Sequence, residues 1–86
     1  MNWQKILARI LQGHADGNIR FDDLCQVLTR LGFVERVRGS HHIFTRDGIE
    51  EILNLQPRGF LAKPYQVKQV RDVIIRYQLA GGDDDE

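Results

Sequence analysis

The chain has one cysteine, two prolines, one methionine and one tryptophan among its 86 residues. A single thiol, Cys25, excludes an internal disulfide, so the fold must be held by its apolar core rather than by covalent staples. No apolar run approaches the ~18 residues needed to span a bilayer. The first residues also lack the basic, apolar and small-residue order of a signal peptide, so a cytoplasmic protein with no membrane partner is expected. Net charge is missing too: twelve basic residues face twelve acidic ones. That balance hides an asymmetry, because Asp83-Asp84-Asp85-Glu86 holds four of the acids and leaves twelve basic against eight acidic residues in the rest. A mildly basic body suits an anionic partner and equally suits an ordinary solvated surface.

Several chemical signatures are absent as well. There is no glycine-rich phosphate loop, no Ser-His-acid order and no identifiable pair of catalytic carboxylates. No Cys, Asp or Glu set has a recognisable metal-ligand spacing, so neither a metal nor a cofactor is expected.

What remains is ordinary globular material, 42% hydrophobic and 28% charged, which at this length makes one domain over residues 1–80. Residues 81–86 are expected to be a disordered acidic tail. Trp3, Ile6, Leu7, Ile10 and Leu11 gather on one side at a 3.6-residue period, which predicts an amphipathic N-terminal helix within residues 1–12 that stops at Gly13. A second helix is expected with Asp22 as N-cap and Leu24, Val27, Leu28 and Leu31 as its buried stripe, Cys25 beside them, ending at Gly32. Phe33 to Arg38 and His41 to Thr45 read as strands joined by a type II′ Gly39-Ser40 turn. After the turn signal Arg46-Asp47-Gly48, a third strand is expected over Ile49 to Leu55, most convincingly from Glu51. Gln56 to Lys63 reads as a loop, and Pro64 opens a last helix along which Val67, Val70, Val73, Ile74 and Tyr77 share a side. The fold class is therefore α+β, with a three-stranded antiparallel meander covered on one face by helices.

Within that frame the adjacent His41 and His42 stand out. Successive strand residues leave opposite faces of a sheet, so the pair cannot chelate one ion and is not expected to share a task. Alternation alone does not say which of the two faces solvent. A histidine at this spot can serve as general acid or base, and Arg36, Arg38, Lys63 and Lys68 supply cations suited to a phosphodiester.

The run Leu31-Gly32-Phe33, then Arg36, then Gly39-Ser40-His41-His42-Ile43-Phe44, followed by a third strand and a helix from Lys63 to Ile74, resembles the HicA family of bacterial toxins. The likeness covers about residues 19–79 and leaves the N-terminal helix outside. It implies a fold like a double-stranded RNA-binding domain, helix, three antiparallel strands and helix. It also implies a metal-independent ribonuclease that cleaves mRNA and is neutralised by a HicB-type antitoxin. The family's catalytic histidine directly follows Gly-Ser, which places that role on His41, with Gly39 and Ser40 as the motif around it. Gly39, Ser40, Arg36, Arg38, Lys63 and Lys68 are the expected substrate contacts. The alternative is a non-catalytic RNA-binding module using the same basic residues, and a purely protein-binding domain is a third reading.

Overall fold

The structure is a computed structural model and describes residues 2–81. Apart from Gly81, the acidic tail expected to be disordered lies outside the described residues. Helix α1 (Trp3–Gln12) starts where the Asn2 side chain accepts from the Lys5 amide at 2.9 Å, and it ends at Gly13, whose φ of 77° is left-handed. A 3₁₀ turn at Asp16–Asn18 leads to α2 (Phe21–Arg30), strands β1 (Val34–Arg38) and β2 (His41–Thr45), and a short β3 (Leu53–Leu55). A small separate hairpin, β4 (Pro57–Arg58) with β5 (Leu61–Ala62), precedes α3 (Pro64–Arg76). With the hairpin set aside, the order from α2 to α3 is α-β-β-β-α, consistent with a core like that of a double-stranded RNA-binding domain, with α1 added in front.

Three sequence expectations need correction. The N-cap of α2 is Arg20, not Asp22, and it makes no side-chain cap. The Phe21 amide is met instead by the Phe60 carbonyl of the β4–β5 hairpin at 2.9 Å. Asp22 and Asp23 sit inside the first turn, where carboxylates complement the helix dipole. The third strand is also shorter than expected. Before Leu53 the chain is held by the far end of α3: the Tyr77 hydroxyl lies 3.3 Å from the Glu50 amide and donates to Glu51 at 2.7 Å, and Arg76 donates to Glu51 at 2.8 Å. Those bonds replace a ladder with β2. Finally, Gln56 to Lys63 is not a plain loop but contains the hairpin, turned at Gly59 with φ 62°. The alternation in Leu61-Ala62 is too short to show a strand from sequence.

The rest follows the local chemistry. The end of α2 is a Schellman motif, with the Gly32 amide on the Thr29 carbonyl and the Phe33 amide on that of Leu28, both at 3.0 Å. Gly39 has φ 59° while Ser40 keeps a negative φ, which is the type II′ pattern. The β1–β2 register pairs Arg38 with His41, and β2 pairs with β3 through His42–Leu55 and Phe44–Leu53. Phe44, Leu53 and Leu55 are fully buried and meet Leu24, Val27 and Leu28 of α2 and Val67, Val70 and Ile74 of α3 in one core. Ile6, Leu7 and Ile10 of α1 complete it. Strand β1, at the sheet edge, is exposed throughout.

Arg71 fastens α1 to this core. Its guanidinium donates to both carboxylate oxygens of Asp16, at 2.8 and 3.1 Å, and to the Ile10 carbonyl at 3.1 Å. Hydrogen bonding to Asp16 raises the Arg71 pKa further above its ordinary value.

Candidate active site

The ladder divides the sheet residues cleanly. Val34, Arg36 and Arg38 of β1 stand opposite Thr45, Ile43 and His41 of β2, and Asn54 of β3 stands opposite Ile43. Cross-strand partners share a face, so Arg36, Arg38, His41 and Asn54 lie together on the face that the helices leave open. Glu35, His42, Phe44, Leu53 and Leu55 lie on the other.

His41 is exposed, and its Nδ1 is 2.9 Å from Asn54 Oδ1. An amide oxygen only accepts, so Nδ1 carries the proton in this contact and Nε2 of the neutral ring keeps its lone pair. The ring is thereby aimed, and Nε2 has no hydrogen-bond partner among the described residues. His42 has a different setting. Its Nδ1 donates to Glu35 Oε2 at 2.7 Å, and its ring meets Phe21 edge-on with centroids 4.8 Å apart. This is a half-buried histidine tying β2 to β1 and α2.

The Ser40 hydroxyl has its hydrogen bond elsewhere: Oγ accepts from Gln56 Nε2 at 3.0 Å. The orienting contact comes from Asn54. Both Asn54 and Gln56 are fixed from behind by Gln66 of α3, a buried polar side chain at 5% exposure. Its Oε1 accepts from the Gln56 amide at 3.0 Å and its Nε2 donates to the Asn54 carbonyl at 3.1 Å, so it pairs with the outer edge of β3 as a neighbouring strand would.

The cations expected to act together fall into two groups. Arg36 and Arg38 are beside His41 on the open face. Lys63 caps the start of α3, and Lys68, on the solvent side of that helix, forms an i,i+4 ion pair with Asp72 at 3.0 Å beside Tyr65 and Gln69. Lys68 is therefore placed away from the open face.

The fold also gathers residues that no sequence spacing revealed: ligand atoms of Cys25, Glu35 and His42 lie within 4.8 Å of one another. Burial, with Glu35 and then Asp22 as further causes, pushes the Cys25 thiol up to about 12, so it is a neutral thiol near pH 7. The short Glu35–His42 contact is a hydrogen bond, and it gives this group a structural occupation.

Asn54, Gln56 and Gln66 are the site residues that sequence reading missed. Their signals were present. Asn54 interrupts Leu53-Asn54-Leu55 on the solvent alternation, and Gln66 is a polar residue on the buried stripe of a helix otherwise lined with valine and isoleucine.

A family model described as the HicA toxin of bacterial toxin-antitoxin systems matches residues 21–76. Neither a curated protein nor a solved structure gives a match.

Proposed function

This chain belongs to the HicA family of toxins from bacterial toxin-antitoxin systems, and from that membership we propose that it is a cytoplasmic, metal-independent endoribonuclease that cleaves mRNA with His41 as general base. The observation that carries the reading is the His41–Asn54 hydrogen bond, which engages Nδ1 of an exposed imidazole and leaves Nε2 without a hydrogen-bond partner among the described residues, on the sheet face that also carries Arg36 and Arg38. Imidazole is the side chain suited to moving protons near neutral pH.

In the proposed step, Nε2 removes the proton from a ribose 2′-hydroxyl. The 2′-oxygen attacks the adjacent phosphorus, the bond from phosphorus to the 5′-oxygen breaks, and a 2′,3′-cyclic phosphate forms. The departing 5′-oxygen takes a proton from solvent or from the imidazolium just formed. Arg36 and Arg38 stabilise charge growing on the phosphoryl oxygens. Gly39 and Ser40 form the turn that sets His41 at the start of β2. Lys63 and Lys68 serve, on this reading, as outlying contacts to the RNA backbone, with Lys68 exchanging its Asp72 partner for phosphate. DNA lacks the nucleophile and is not cut. A HicB-type antitoxin is the proposed protein partner, covering the open face and so withholding His41 from RNA.

The test is cleavage of single-stranded RNA by purified protein in the presence of a chelator. His41→Ala should lower the rate ~10²- to 10⁴-fold, and a 2′-deoxy substitution at the cut site should abolish cleavage there. Full activity in the His41→Ala protein would overturn the assignment. Salt-sensitive RNA binding without cleavage would favour the non-catalytic module.

A further inference from the structure

We propose that Gln66 is a positioning residue that sets the tautomer of His41 from the outer edge of the sheet. The inference rests on the reading of His41 as a base for its functional meaning, but not for its test. The path is short and every link is a hydrogen bond. Asn54 and Gln56 are two residues apart in an extended segment, so their side chains leave the same face and their outward backbone groups point the same way. The side chains reach His41 Nδ1 and Ser40 Oγ. Gln66 holds the backbone groups, the Asn54 carbonyl and the Gln56 amide.

Strand β3 ends at Leu55 and has β2 on one side only. Without Gln66 the outer edge at Asn54 and Gln56 would be unpaired against the start of α3, and a backbone amide or carbonyl left without a partner away from water is unfavourable. The segment would then move toward water and carry the Asn54 side chain with it. Once Oδ1 is displaced, nothing holds the proton on Nδ1, and the imidazole returns to the Nε2–H form that an unrestrained histidine prefers. In that form the nitrogen facing substrate is already protonated and cannot act as base. A glutamine is chemically suited to this place because it needs one acceptor and one donor on the same planar group, matching one N–H and one C=O on the strand edge.

The experiment reads the tautomer directly. The full chain is labelled with ¹⁵N, and the ring nitrogens of His14, His41 and His42 are assigned by long-range proton–nitrogen correlation at a pH where the imidazoles are neutral. Wild type should show Nδ1–H for His41, and Asn54→Ala should move it to Nε2–H. Gln66→Met, which keeps length and burial but loses both bonds, should move His41 the same way while His42 stays on its Glu35 partner. Gln66→Glu keeps the acceptor but sets a carboxylate against the Asn54 carbonyl, and should move His41 as well, so the outcome does not depend on one variant folding. In the cleavage assay kcat should fall ~10-fold with little change in KM, as expected for misplacement of a reacting group. An unchanged His41 tautomer in both folded Gln66 variants overturns the inference. If the tautomer moves but His41→Ala cleaves RNA normally, the positioning role stands and the assignment of His41 as base falls.

Discussion

The two faces of the three-stranded sheet use the same short strands and differ in what holds each side chain in place. On the covered face, Phe44, Leu53 and Leu55 are fixed by contact with two helices, and order follows from close packing. On the open face, His41 has no such wall. Its orientation comes from one hydrogen bond to Asn54, which is itself held by a chain of polar contacts leading back to α3. Adjacent histidines have acquired different properties from this division: His42 is part of the scaffold and His41 is presented to solvent. The lesson is that a side chain on an exposed sheet face can be oriented by an exposed hydrogen-bond partner, provided that the partner's backbone is anchored by a buried one, here Gln66.

That contrast can be tested by breaking each face in turn. The largest effect on stability is expected from Phe44→Ala, which removes a fully buried ring and should cost ~3–5 kcal/mol in denaturant unfolding. The neighbouring Ile43→Ala on the open face should cost a small fraction of that. If the two losses were similar, the open face would be supporting the fold. Next come the histidines. His42→Ala loses its Glu35 bond and its contact with Phe21 and should destabilise the protein by ~1–2 kcal/mol, while cleavage by the folded fraction persists. His41→Ala should lie within ~0.5 kcal/mol of wild type, as for other surface changes. A reversal of that order would erase the distinction between the pair.

The smallest effect concerns the stretch between the faces. The Tyr77 hydroxyl, helped by Arg76, holds the Glu51 carboxyl below the usual carboxylate range, and the same bond raises the Tyr77 phenol above its own. A carboxylate with a lowered folded pKa contributes stability that is present above its unfolded pKa and lost as pH falls through the folded value. The phenol's contribution is present below its unfolded pKa and lost as pH rises through the raised one. Comparing unfolding of wild type and Glu51→Gln across pH should therefore show a gap that closes at both the acid and the alkaline end. A gap constant with pH would remove the Glu51–Tyr77 bond as its source.

The helices, the first two strands and the type II′ turn were legible because each is written locally, in a 3.6-residue apolar stripe or a glycine at a position of positive φ. The Gly39-Ser40-His41 motif is likewise local. The parts that were not legible depend on partners distant in sequence. Asp22 looked like a cap because sequence could not show the Phe60 carbonyl arriving from the hairpin. Ile49 to Ile52 looked like strand because nothing local showed Tyr77 and Arg76 drawing that stretch away. Asn54 and Gln66 are ordinary polar residues until the chain brings them together. The two lysines were grouped with the arginines by charge, whereas the fold sets Lys68 on the solvent side of a helix covering the other face.

The β4–β5 hairpin also bears on how this chain opens. Its carbonyl at Phe60 and amide at Ala62 hold Phe21 and Ile19, and the Arg20 guanidinium lies over the Phe60 ring at 5.2 Å. Everything between Arg20 and Leu61, including the three-stranded sheet with His41 and His42, is thus enclosed in a covalent loop whose ends are clasped by hydrogen bonds. Closing such a loop carries an entropy cost that grows slowly with its length, so the clasp should be among the later contacts to form. Once formed, it joins the entrances of α2 and α3. In native-state hydrogen exchange the Phe21 and Ala62 amides should open as one unit, and that opening would slacken the segment through Gln56, whose side chain holds Ser40 in the β1–β2 turn.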